Sequence, residues 1–139
     1  MGPSDEARRL LTAAGKDLQA LTGMADPDVF ADEVFGFHAQ QAAEKILKAW
    51  LAWLSIVYPR THDLSLLLGR LLDEGANVQR WYGLIEYAPY AVQYRYEGFD
   101  SMGAGLDRAE TVRRLSELML EVEGMVRREP SDAPPAGSA

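Results

Sequence analysis

The fold that this chain predicts is all-α, an up-and-down antiparallel bundle of four to five helices, and three observations carry that expectation. Apolar residues recur three and four positions apart along most of the chain. No stretch shows the strict alternation of a half-buried strand. Helix start and stop signals lie close together, so connections are short and successive helices are expected to run antiparallel.

The first segment is expected from Asp5 to Met24. Ser4 offers an N-cap, and Asp5 and Glu6 place acids in the first turn, where the helix dipole favours them. Leu10, Leu11, Ala14, Leu18 and Leu21 form its apolar face, and Gly23 stops it. The second segment is long, from Asp28 to Val57, with Asp26-Pro27 as its start signal and Pro59 beyond its end. Its second half, ILKAWLAWLSIVY, is apolar nearly all round, which suits the middle of a bundle or contact with a partner chain.

Thr61 reads as the N-cap of the third segment. Leu64, Leu67, Leu68, Leu71 and Leu72 form its apolar face and Gly75 closes it. The fourth segment is expected from Val78 to Tyr96, with Trp81, Leu84, Ile85, Ala88 and Val92 facing inward and a kink or break at Pro89. Gly98 to Gly105 is a glycine-rich loop. The fifth segment runs from Leu106 to Val126, turning Val112, Leu115, Leu118, Met119 and Val122 inward. The bundle is thus expected over residues 5–127, with a disordered Pro/Ala/Gly/Ser-rich tail over 128–139.

Composition narrows the chemistry. At 139 residues the chain makes one domain. A chain of this size buries roughly 68–70% of its unfolded surface, so it folds without a metal or a disulfide. It has no cysteine, which excludes disulfide scaffolds, thiolate zinc sites and cysteine nucleophiles. Its two histidines, His38 and His62, are too few for a multi-histidine metal site, and no pattern points to a cofactor. The net charge of −7 argues against duplex DNA, which needs a basic footprint. The N-terminal residues contain no apolar leader. The longest apolar stretch, Ile46 to Tyr58, contains Lys48 and is too short to span a bilayer. The expected location is therefore the cytoplasm, away from membranes.

Several groups of residues can carry chemistry. Gln40, Gln41, Glu44, Lys45 and Lys48 give the second segment a polar strip, either a solvated face with a Glu44–Lys48 surface pair or the wall of a polar pocket or dimer contact. Thr61-His62-Asp63 is a capping turn, or a place where His62 meets phosphate beside helix N-terminal amides. Tyr87, Tyr90 and Tyr94 share a helical face, serving an interface or stacking on bases with Arg95 on phosphate. Asp26-Pro27-Asp28 reads as a helix cap, and His38 as a packed structural histidine.

Phe37-His38-Ala39-Gln40-Gln41-Ala42-Ala43-Glu44-Lys45-Ile46-Leu47-Lys48-Ala49 resembles the signature helix of the HEPN domain family. Pro59 to Leu67 resembles that family's "THDL" segment at the right separation, and Ala91 to Tyr96 its "aRYP" segment, with Glu97 in place of proline. The resemblance covers about residues 5–127. It implies an all-α bundle, a homodimer, and a minimal nucleotidyltransferase as partner in a toxin–antitoxin pair. It also implies a nucleotide ligand, since some larger relatives bind nucleotides. Some members are metal-independent ribonucleases that use an arginine followed four to six residues later by a histidine. Here Arg60 lies only two positions before His62, no arginine stands between Arg9 and His38, and no histidine follows Arg95. Ribonuclease activity is therefore not carried over.

The expected nucleotide site comprises Gln41, Glu44, Lys45, Lys48, His62, Asp63, Arg95 and Tyr96. In it Lys45, Lys48 and Arg95 would meet phosphate, His62 and Asp63 would hydrogen-bond, and Tyr96 would stack. No catalytic residue and no metal ligand is expected. The alternatives are a degenerate ribonuclease toxin, with Arg95 and His62 brought together in space, and a pure assembly module.

Overall fold

The computed structural model describes residues 2–95 and 105–128, with the side chains of 92–95 outside the description. Within them lie four α-helices, α1 (Pro3–Gly23), α2 (Asp32–Trp53), α3 (Leu64–Asp73) and α4 (Arg108–Arg128), and one 3-10 helix (Gln79–Arg95). There is no strand among the described residues, so the all-helical bundle is as expected. Tyr96, the expected loop from Gly98 up to residue 104, and residues 129–139 lie outside the description. Arg128, assigned to the tail from sequence, is the last residue of α4.

The helix ends differ from expectation for local reasons. α1 starts earlier: Gly2 is its cap, Pro3 occupies the first helical position, and Asp5 Oδ2 accepts from Gly2 N at 3.0 Å. Ser4 is buried inside the first turn instead of capping it. Asp26-Pro27 does not begin α2. Asp26 Oδ1 accepts from Asp28 N at 2.9 Å, and this side-chain turn competes with helix, which waits until Asp32. α2 stops at Trp53, before Val57. Ser55 takes a left-handed conformation (φ 65°), Ser55 N donates to Ala52 O, and Ile56 N donates to Leu51 O. That pair of bonds is a Schellman ending, with serine in glycine's usual place. α3 closes in the same way at Gly75 (φ 87°). Its cap is Asp63, whose Oδ1 accepts from Ser65 N and Leu66 N, and not Thr61.

α2 is the centre of the bundle and touches every other element. This explains its all-round apolar half: Ile46, Leu47, Ala49, Trp50 and Leu51 are all buried within the chain. Of the stretch considered for assembly, only its far end reaches solvent, with Val57 92% exposed. α1 runs antiparallel to α2, bringing Glu6 to Tyr58 and Asp17 to His38. α3 does not. The Leu54–Asp63 connection turns back along α2 until the His62 carbonyl meets Gln40, and α3 then runs in the direction of α2, its end reaching Trp50 and Trp53.

The 3-10 helix replaces the expected kinked α-helix. Val78 just before it and Trp81, Leu84, Tyr87 and Tyr90 within it are buried, a strict period of three that puts them on one eclipsed edge. Tyr87 and Tyr90 are therefore core residues, and of the two readings of the tyrosine face, an interface or base stacking, neither is open to these two rings in the folded chain. Tyr87 Oη donates to Thr111 Oγ1 at 3.0 Å and accepts from Arg114 at 3.1 Å.

The Tyr90 ring lies flat against α2 at Gly36. A Cβ on Gly36 would fall 2.4 Å from two ring carbons. Gly36→Ala should destabilise the protein by about 1–3 kcal/mol through overpacking, although alanine is the better helix former by about 1 kcal/mol. Denaturant melts would show the loss. In a Tyr90→Ala background, where the ring is gone, the same substitution should cost far less.

Candidate functional site

The polar strip of α2 is a buried network. Glu44 is 5% exposed and accepts three bonds: from Lys48 Nζ at 2.8 Å, from Gln40 Nε2 at 2.9 Å and from His62 Nδ1 at 2.9 Å. A carboxylate only accepts, so Nδ1 is the donor, and Nε2 has no partner among the described residues. Gln40 also donates to the His62 carbonyl at 3.1 Å, and Gln41 Nε2 donates to Gln40 Oε1 at 2.8 Å. His62 is thus held at both ring and backbone while its side chain stays 67% exposed. The next residue, Asp63, is the α3 cap. Burial would raise the Glu44 carboxyl, but the bonds from Lys48, His62 and Gln40 outweigh it, and its pKa lies below the ordinary 4.5. Of the two readings of this strip, a solvated surface pair is the one the burial of Glu44 and the near-burial of Lys48 contradict.

A second node sits beside the first. Asp17, 8% exposed, accepts from His38 Nδ1 at 2.9 Å and from Lys45 Nζ at 2.7 Å. Each histidine of the chain is thus oriented by a buried acid that also holds a lysine. His38 is partly exposed and its ring is held by Asp17. Beyond Lys48 the chain of contacts continues: its Nζ lies 5.5 Å from the centre of the Tyr58 ring, and Tyr58 Oη donates to Glu6 Oε2 at 2.5 Å. The bond from Arg9, helped by that from Tyr58, holds the Glu6 carboxyl at about 2.

Of the expected site residues, Gln41, Glu44, Lys48, His62 and Asp63 come together at one end of this network. Lys45 belongs to the Asp17 node. Lys45 and Lys48 each already pair with a buried carboxylate, so neither is an unengaged phosphate ligand. The Arg95 side chain and Tyr96 lie outside the described residues. Asp17 and Tyr58 were not expected in the network, and Gln40, read as part of the polar strip, was not among the expected site residues. Asp17 had a signal: it stands in the apolar stripe Leu10, Ala14, Leu21 of α1, where an acid must find a buried partner. Arg108 was also missed. It is 8% exposed and donates to Met24 O, Phe30 O and Asp32 Oδ1 at 2.8, 2.6 and 2.8 Å, tying the α1–α2 connection to the start of α4.

Fold and network together define a small all-helical domain whose central helix holds a buried polar node, against which the α2–α3 connection presents the oriented His62 imidazole to solvent. The HEPN domain matches this chain over residues 7–128, and the chain belongs to that family. No curated protein and no solved structure matches it. Among the described residues no group of three or more acids and histidines could hold a metal ion, and no helix is long and apolar enough to cross a membrane.

Proposed function

We propose that this HEPN domain protein is a non-catalytic, dimeric, cytoplasmic binding module. Its ligand is a nucleotide, or a minimal nucleotidyltransferase partner in a toxin–antitoxin-type pair. The observation that supports this most is the mounting of His62. The imidazole is fixed from behind by Glu44 and Gln40, faces solvent, and keeps Nε2 for a ligand. Half-buried Gln41 donates to Gln40, which in turn holds the His62 carbonyl. Such preorganisation lowers the ordering cost of binding. With Lys45 and Lys48 neutralised internally, recognition at this wall rests on directed hydrogen bonds more than on net positive charge.

A thermal-shift series with ATP, GTP, AMP and a short RNA tests this reading. Ligand at about one hundred times its dissociation constant stabilises by roughly 2.7 kcal/mol. For a domain of this size that is a rise on the order of 5–15 °C. His62→Ala should weaken the responding ligand about tenfold or more, as expected for a lost bond to a charged group. An unchanged affinity in that variant would remove His62 from the site. Light scattering with and without the candidate nucleotidyltransferase tests dimer and partner.

One observation favours a second reading, a ribonuclease toxin. A carboxylate on Nδ1 is the arrangement that orients an acid–base histidine. Growth arrest and RNA cleavage, both abolished by His62→Ala, would establish it. Cleavage at the wild-type rate by that variant would dismiss His62 as the catalyst.

A further inference from the structure

Most cations described here are engaged. Lys45, Lys48, Arg108 and the α4 arginines Arg113 and Arg114 all sit on carboxylates. Arg8 is held loosely, its ion pair with Asp5 being 3.7 Å long, and Arg127, like Lys16, Arg60, Arg70 and Arg128, pairs with no carboxylate among the described residues. Arg8 and Arg127, from antiparallel helices, line the same hollow of about 400 Å³ between α1 and α4.

The hollow has an apolar floor of Leu11, Met119 and Val126. Gly15 keeps it open: a Cβ there would meet only Met119 Cε, at an ordinary 3.7 Å. Glu123 also lines it, an acceptor within a site otherwise suited to an anion. Two guanidinium forks match the oxygens of a phosphate dianion, the floor matches a flat apolar body, and Glu123 requires an N–H or O–H on that body. A volume of this size lies at the small end of the roughly 300–1,000 Å³ range of ligand pockets.

We infer that the α1–α4 hollow is a binding site for a small phosphate monoester with a flat apolar body and a hydrogen-bond donor. It is separate from the His62 wall and shares no residue with it. The net charge of −7 repels anions at long range, so the arginine pair must supply the attraction locally, and binding should weaken as salt rises.

The test is an NMR titration of the full chain labelled at its methionine methyls, with 4-aminophenyl phosphate as the probe. The Met119 methyl should shift and saturate, and inorganic phosphate should move it far less. Arg8→Gln and Arg127→Gln should each weaken binding about tenfold or more. Gly15→Leu, which fills the hollow without touching a charge, should abolish the response, while His62→Ala should leave it intact. The inference is overturned by a silent Met119 or by an equal response to inorganic phosphate. A response that survives the double arginine variant, or one lost in His62→Ala, overturns it as well. The methyl spectrum of each unliganded variant shows whether it is folded, so a failed fold is not mistaken for lost binding.

Discussion

Arg108→Ala should cost about 3–5 kcal/mol of folding stability, the largest single loss expected in this protein. A domain of this kind has only about 5–15 kcal/mol in total, so the variant should be marginal at physiological temperature. The reason is geometric. One guanidinium satisfies two backbone carbonyls of the α1–α2 connection and the Asp32 carboxylate, and it lies 4.8 Å from the centre of the Phe35 ring. Truncation leaves three acceptors without their donor, one of them a charged side chain that is only 18% exposed. Arg108 also stands at the first residue of α4, where the helix dipole disfavours a cation. These contacts, not helix preference, account for arginine there.

Arg108→Lys should recover only part of the loss, because a single ammonium cannot span acceptors that the planar fork reaches together. Urea denaturation should show a lower midpoint with an unchanged slope. Hydrogen exchange should show the connection between Met24 and Ala31 opening before the rest of the bundle. A midpoint shift worth under 1 kcal/mol would mean that the clamp adds little beyond helix packing.

What could be read from sequence was whatever depends on neighbours three or four residues away. The apolar faces of α1, α3 and α4 fall largely where the spacing puts them, with Leu10, Leu67 and Leu118 buried, but Leu72, read as part of the α3 face, is exposed. The 3-10 helix defeated that reading because Trp81, Leu84, Ile85 and Ala88 also fit an α-helical face. The signal that separates the two is the longer run from Val78 to Tyr90, which keeps a period of three. What holds that unusual length is tertiary: the Tyr90 ring seats on Gly36, far away in sequence. The candidate site divides in the same way. The Glu44–Lys48 spacing was legible, but its burial was not, because the Leu54–Asp63 connection must turn back before His62 can cover Glu44. Short-connection logic favoured an antiparallel α2–α3 pair, and with it a strip open to water.

Glu44→Gln should cost about 3 kcal/mol near neutral pH, and its effect should fade in acid. The glutamine keeps one acceptor for His62 and Gln40, but its amide then faces the Lys48 ammonium, donor against donor, at a lysine that is 12% exposed. Adding Lys48→Met should return most of the loss, since the penalty lies in the stranded charge and not in the absent pair. The pH dependence follows from the depressed Glu44 pKa. The folded carboxyl titrates below 4.5 and the unfolded one near it. The stabilisation is therefore complete above about 4.5 and is lost as pH falls through the lower, folded value. Wild type and Glu44→Gln should accordingly converge in stability below that window and diverge above it. Parallel stability curves across the whole range would show that Glu44 does not change its ionisation on folding. The bonds assigned to Lys48 and His62 would then contribute nothing through charge, and the rigid mounting of His62 would lose its electrostatic basis.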